Sequence, residues 1–304
     1  ADGPYLARKG VGETIVARLR FTNHTQAAVN PEATIEAVRG INVSPGAASV
    51  SLASEGLEQS VPVQLQVSKS LDEGDYQLRA ATGRGATAET IVRVVDVAVP
   101  ENVRVGVIQS YDDTFAKTLP RLNVPHELLG ENDFTAERLD QFTTIIVDIR
   151  AYLVREDLVA NNAAILDYAK RGGTVIVNYQ KTFDWKPEYA PYRIAIGRDR
   201  VTVEDAPIEI LVPDHALFNK PNKIAGEDWD GWIQERGLYF PGSWDDAYTP
   251  LIMTADPGES PAPGSCLIAQ HGEGTYFYTA LGWYRQLREL HPGTIRVFAN
   301  MLAL

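Results

Sequence analysis

The chain has 304 residues, 44% of them apolar and 22% charged, with a net charge of −12 and a pI near 4.9. An acidic balance of this size leaves no basic face for nucleic acid and disfavours anionic membrane surfaces. A single cysteine, Cys266, excludes an internal disulfide and a cysteine metal cluster, and no run of about 18 apolar residues is present to cross a membrane as a helix.

Residues 1–98 read as all-β. Apolar and polar residues alternate over 14–22, 61–67 and 90–95, the period of a strand with one buried face. Turn signals separate these runs: Asn23-His24-Thr25, Asn30-Pro31, Ser44-Pro45-Gly46 and Asp72-Glu73-Gly74-Asp75. Short strands at this spacing predict a sandwich. The passage Glu73-Gly74-Asp75-Tyr76 resembles the G-x-Y stretch of bacterial immunoglobulin-like accessory domains, and Asn23 fits a turn of the same domains.

Residues 99–102 read as a linker, and residues 99–304 as a second domain. A near-continuous apolar run over 103–109 predicts a strand buried on both faces. A helix follows over 112–122 with Asp112 or Asp113 at its N-cap, then a short strand at 126–129, a short helix at 134–139 and a strand at 143–148. Leu158, Ile165, Leu166 and Ala169 make one stripe of a helix over 155–171, which Gly172-Gly173 ends before a strand at 174–177. Strand–helix alternation predicts a parallel, doubly wound, flavodoxin-like sheet. Residues 179–200 read as a long loop and 201–212 as a strand. A hairpin is expected over 266–279 and a closing helix over 294–302.

Sites in such sheets form at the carboxyl ends of the strands. Three ends carry chemistry: Ser110-Tyr111-Asp112-Asp113, Asp148-Ile149-Arg150-Ala151-Tyr152 and Asn178-Tyr179-Gln180-Lys181. The segment 230–239 is placed to fold over them. The candidate ligand-binding residues are therefore Tyr111, Asp112, Asp113, Arg150, Tyr152, Lys181, Trp232, Gln234, Glu235 and Arg236. Polar and aromatic groups together suit a sugar or another polar metabolite. The plainer reading is that the two acids cap a helix and Arg150 pairs with a nearby carboxylate.

No catalytic residue is assigned. The G-x-S-x-G elbow is absent, and Cys266 lies in an apolar run that suits a buried thiol. The five histidines are scattered without metal-ligand spacing, and no glycine-rich phosphate loop follows a strand, so no metal and no cofactor is expected. Asp214-His215 is the best single metal candidate, and a turn histidine is its simpler account.

Two longer resemblances go further. Residues 168–177 and 272–282 resemble the class I glutamine amidotransferase-like superfamily, whose active members carry a nucleophilic cysteine and a later His-Glu pair that this sequence lacks. Residues 105–113, 148–152, 158–162 and 230–239 are similar to the C-terminal region of large bacterial PIG-L/LmbE-type N-acetylglucosamine deacetylases. In that family a zinc deacetylase domain precedes a β-sandwich and an amidotransferase-like domain. Its H-P-D-D and H-x-x-H signatures do not occur here, so its metal and catalytic residues map to no position. The resemblance implies the accessory portion of such an enzyme or a stand-alone relative of it, with the deacetylase domain as a partner in cis or trans; a periplasmic or extracellular location is a further expectation. The leading expectation is thus a non-catalytic module that binds a carbohydrate or polar ligand or docks the deacetylase. A glycan hydrolase built on the acids around the strand ends and a purely structural module are the alternatives.

Overall fold

The structure is a computed structural model that describes residues 3–304. Contacts divide the described residues into two compact units, the first ending at Val97 and the second spanning Ala98–Leu304. The first contains β1 (Tyr5–Arg8), β2 (Thr14–Thr22), β3 (Glu32–Ile35), β4 (Ile41–Ser44), β5 (Ala47–Ser49), β6 (Glu58–Val67), β7 (Gly74–Thr82) and β8 (Thr87–Val95). One sheet runs β1-β8-β7-β3-β5 and the other β2-β6-β4. The alternation in β2 and β6 turns Ala17, Leu19, Phe21, Val63, Leu65 and Val67 into a core shared with Leu78, Ala80, Val92 and Val94. Asn23 is buried and ties its turn together, donating to the Ala27 carbonyl at 2.9 Å and accepting from the Thr25 amide at 2.8 Å. The Tyr76 hydroxyl donates to the Asp72 carbonyl at 3.0 Å.

The second unit contains β9 (Val105–Ile108), α1 (Thr114–Arg121), β10 (His126–Leu128), α2 (Ala136–Leu139), β11 (Thr144–Val147), α3 (Ala151–Val154), α4 (Glu156–Ala160), α5 (Asn162–Lys170) and β12 (Thr174–Asn178). There follow β13 (Ile194–Val201), β14 (Ile208–Ile210), β15 (Gly237–Trp244), β16 (Thr249–Thr254), β17 (Ala262–His271), β18 (Gly274–Thr279), α6 (Trp283–Arg288) and α7 (Pro292–Met301). Its main sheet has eight strands in the order β10-β9-β11-β12-β18-β17-β16-β14. The five strands from β10 to β18 are parallel, and the rest join antiparallel. Ile145, Ile146 and Val147 of β11 are wholly out of water, each gaining about 1.5–3 kcal/mol by burial. β13 and β15 pair separately as a two-stranded ribbon.

This topology corrects the expected immunoglobulin-like sandwich followed by a flavodoxin-like doubly wound sheet. The chain is a mixed α/β protein with 20% helix and 37% strand over several sheets, the largest of them a mixed one. The physical reason lies after β12. β16 to β18 follow one another as antiparallel neighbours without crossover helices, so parallel winding stops there. Residues 194–200, expected as loop, form β13 together with Val201, and its bulged register against β15 blurs the alternation. Of the strand expected over 201–212, only β14 forms within that span beyond the last residue of β13. The helix expected over 155–171 breaks at Asn161 (φ −110°) into α4 and α5.

Candidate ligand-binding site at the strand ends

The parallel half of the sheet brings four strand ends side by side. After β9 the chain runs through Ser110 and Tyr111 into α1. After β11 it passes Asp148 and Arg150 into α3. After β12 come Tyr179, Lys181 and Phe183, and after β18 the short helix α6 carries Tyr284, Arg285 and Arg288. The ribbon supplies a fifth contribution. The Leu238 amide donates to the Ala280 carbonyl at 3.1 Å, and Gly237 bridges to Leu281, which sets Tyr239 against Tyr179 with ring centroids 5.9 Å apart. Only glycine fits at 237, because a Cβ there would lie 2.5 Å from the Ala280 oxygen.

Four tyrosines converge. The rings of Tyr179 and Tyr284 are buried, yet the hydroxyls of Tyr179, Tyr239 and Tyr284 have no hydrogen-bond partner among the described residues and are not sealed from solvent. Burial holds the Tyr179 and Tyr284 phenols protonated, well above the usual range for Tyr179. The Tyr284, Tyr239 and Tyr111 phenols are close enough to act on Tyr179 electrostatically. Tyr111 is 61% exposed and its hydroxyl lies against the Arg150 guanidinium. Phe183 is 69% exposed, and Arg150 and Lys181 sit over its ring at 5.5 and 5.8 Å.

Arg150 adopts a left-handed backbone conformation (φ 51°), with its amide donating to the Tyr179 carbonyl at 2.8 Å. Its guanidinium grips the buried Asp184 through two bonds, 2.8 and 3.3 Å, which raise its pKa further. Gln234 (φ 66°) and Tyr239 (φ 54°) share this rare geometry. Side chains held there against steric preference mark places where the surrounding structure over-determines the chain, and these cluster at functional sites. Beneath them Asp148 is buried and accepts from the Ser110 amide and hydroxyl at 3.0 and 2.9 Å and from the Ile149 amide at 2.7 Å. Desolvation outweighs those bonds and pushes its pKa up to about 6.

The ten residues singled out in the sequence separate into groups. Tyr111, Arg150 and Lys181 stand together in the crevice. Glu235 and Gln234 both engage Arg285, at 2.9 Å for Glu235 Oε1 to Nε. Asp112 is buried, accepts from the Thr114 amide at 2.8 Å and pairs with Arg288. Asp113 pairs with Lys117 at 2.6 Å along α1 and makes no side-chain cap bond. Tyr152, Trp232 and Arg236 belong to the core. Tyr152 stacks on Tyr189 at 4.5 Å and donates to Asn162 at 2.6 Å. Trp232 packs on Trp229 and Trp283. Arg236 donates to the Ala206 and Trp229 carbonyls at 3.0 and 2.5 Å, and burial lowers its pKa to about 10, so it stays charged. Tyr179 lies in its strand-end motif and Tyr239 in the 230–239 segment, but neither is among the ten; Phe183, Asp184, Tyr284, Arg285 and Arg288 lie outside those motifs. The end of β18 was the available signal for Tyr284 and Arg285, since the hairpin itself was legible.

Cys266 is buried with its sulfur 3.2 Å from the Thr279 hydroxyl, and burial pushes its pKa up to about 12. Such a thiol does not ionise near neutrality and is no nucleophile. No helix of the described residues is long and apolar enough to cross a membrane.

No protein-family model and no curated protein matches this chain. Among solved structures it is similar to a β-galactosidase from Rahnella sp. R3, with a TM-score of 0.43 and 12% identity over 69% of this chain and 32% of that one. It is also similar to the exo-β-1,4-mannosidase Op5Man5 from Opitutaceae bacterium strain TAV5, with a TM-score of 0.40 and 11% identity over 68% of this chain and 35% of that one. It is similar as well to the calcium-binding domain CBD12 of CALX1.1, with a TM-score of 0.24 and 13% identity over 34% of this chain and 48% of that one. The chain spans about a third of the length of the two glycoside hydrolases.

Proposed function

We propose that the strand-end crevice binds a hydroxyl-rich ligand, a carbohydrate, without chemically changing it. The observation that carries this reading is the set of tyrosine hydroxyls of Tyr179, Tyr239 and Tyr284, without a hydrogen-bond partner among the described residues and not sealed from solvent, on buried and half-buried rings. A buried tyrosine ordinarily finds a partner for its hydroxyl, so a converging group without one presents ready donors and acceptors. Tyr111 and Phe183 add exposed aromatic faces on which a sugar ring packs. The carboxylates around the crevice are engaged: Asp184 with Arg150, Glu235 with Arg285 and Asp112 with Arg288. These pairings occupy the three carboxylates, and among the described residues of the crevice none of them is left as a free acid of the kind glycoside hydrolysis uses, which favours binding over turnover. The PIG-L/LmbE resemblance makes amino sugars and their oligomers the class to try first.

The test is a thermal-shift and calorimetric screen of the full chain against mono- and oligosaccharides, amino sugars included. A ligand that binds only the folded chain raises Tm by mass action. The expected result is a saturable shift that disappears in Phe183→Ala and Tyr111→Ala variants of unchanged ligand-free Tm. Saturable binding that survives both substitutions would place the ligand elsewhere.

A further inference from the structure

We infer that the sugar taken by this crevice carries an anionic group, which Lys181 neutralises; this rests on the carbohydrate reading above. The charges around the crevice pair off one by one. Arg150 holds Asp184, Arg285 holds Glu235 and Arg288 holds Asp112. Asp148 directs its oxygens at the Ser110 and Ile149 donors and is closed from solvent. Lys181 is the cation left over: among the described residues no carboxylate lies within ion-pair distance of its ammonium. Its surroundings are aromatic instead, with Nζ 5.4 Å from the Tyr239 ring centroid and 5.8 Å from that of Phe183.

Two features make this different from a lysine on an open surface. Lys181 is only partly exposed, and its ammonium is held between the two rings that border the unpartnered phenols. A cation fixed there, in a chain of net charge −12, creates a local positive spot where the rest of the molecule repels anions. An anion reaching it also meets the Tyr239 and Tyr179 hydroxyls as neutral donors. A carboxylate or a phosphate on a hexose satisfies this arrangement, the sugar ring lying on Phe183 and the charge on Lys181.

The experiment compares three probes by calorimetry at low ionic strength: methyl β-D-glucuronide, glucose 6-phosphate and the neutral methyl β-D-glucoside. A charge-assisted contact of this kind predicts at least about tenfold tighter binding of one anionic probe than of the neutral one. The preferred probe identifies carboxylate or phosphate as the source. Lys181→Met removes the ammonium, and the ratio of anionic to neutral affinity, measured within the same variant, should fall from about tenfold to about one. Equal binding of all three in the wild type, or a preference that survives Lys181→Met, overturns the inference and leaves the carbohydrate reading standing. Binding of none of the three, together with no hit in the sugar screen, removes both.

Discussion

Two buried tyrosines, Tyr152 and Tyr179, show how little a side chain's identity says until its hydroxyl is located. Tyr152 buries its ring between Trp185 and Tyr189 and donates to Asn162 at 2.6 Å. Tyr179 buries its ring as deeply, but its hydroxyl has no partner among the described residues. Removing a buried donor from a satisfied acceptor costs about 1–3 kcal/mol. Tyr152→Phe is therefore expected to lower stability by about that much and to leave sugar binding intact. Tyr179→Phe should do the reverse, keeping Tm within a degree or two while weakening the ligand several-fold. Chemical denaturation and calorimetry on the two variants check this, and equal behaviour of the pair would count against the crevice. Arg150 makes the same point through its backbone. Its left-handed φ gives up some conformational freedom, and the double grip on Asp184 fixes the guanidinium beside Tyr111.

At the level of elements, two junctions decide the site. The first is the end of β11, where Asp148 stitches the β9 turn down through Ser110. Its folded pKa is raised from 3.8 to about 6, so the folded chain holds this proton more tightly than the unfolded one. Its contribution to stability is full below pH 3.8 and is lost as pH rises through about 6. The effect is at most about 3 kcal/mol. His215 and His271 are depressed by burial and pull the other way below 6.5. Comparison with Asp148→Asn isolates the carboxyl: the stability difference between wild type and variant should grow in the wild type's favour from pH 7 to pH 4.5 in urea melts. A difference independent of pH would mean that Asp148 is not titrating there. The second junction joins β15 to the end of β18. Gly237→Ala places a Cβ 2.5 Å from the Ala280 oxygen and 2.6 Å from the Phe240 ring. It is expected to push the ribbon off, cost roughly 2 kcal/mol or more, and weaken sugar binding by displacing Tyr239. Loss of stability with full affinity would show that the ribbon does not set the site.

Across the whole molecule, the division at Val97 and Ala98 leaves each unit with buried apolar residues of its own. The connecting stretch holds the exposed residues Glu101, Asn102 and Arg104. Brief glutamyl endopeptidase or trypsin treatment should cut first at Glu101 or Arg104 and yield two resistant pieces of about the sizes of the units, read by mass spectrometry. Early cuts scattered through β16 to β18 would contradict two compact units.

The strands with plain alternation, 14–22, 61–67 and 90–95, and the apolar runs that became β9, β11 and β12 were legible because burial on one face or two writes a period directly into the chain. The hairpin of β17 and β18 and the helix α7 were legible for the same reason. Three strand ends with Tyr111, Arg150 and Lys181 followed from a general rule about parallel sheets. The antiparallel half of the large sheet and the bulged ribbon did not, because irregular register leaves no constant period to read. Nor could the sequence separate Trp232, Tyr152 and Arg236, which lie in the core, from Tyr239 and Tyr284, which face the crevice. All are aromatic or charged residues near strand ends, and which of them reaches solvent depends on contacts between segments dozens of residues apart. By itself the sequence determined the local elements and the chemistry available at their ends. Only the tertiary structure decided which arginine meets which carboxylate, and so that Lys181 in the crevice has no carboxylate partner among the described residues: pairing is a property of distances that the folded chain alone creates.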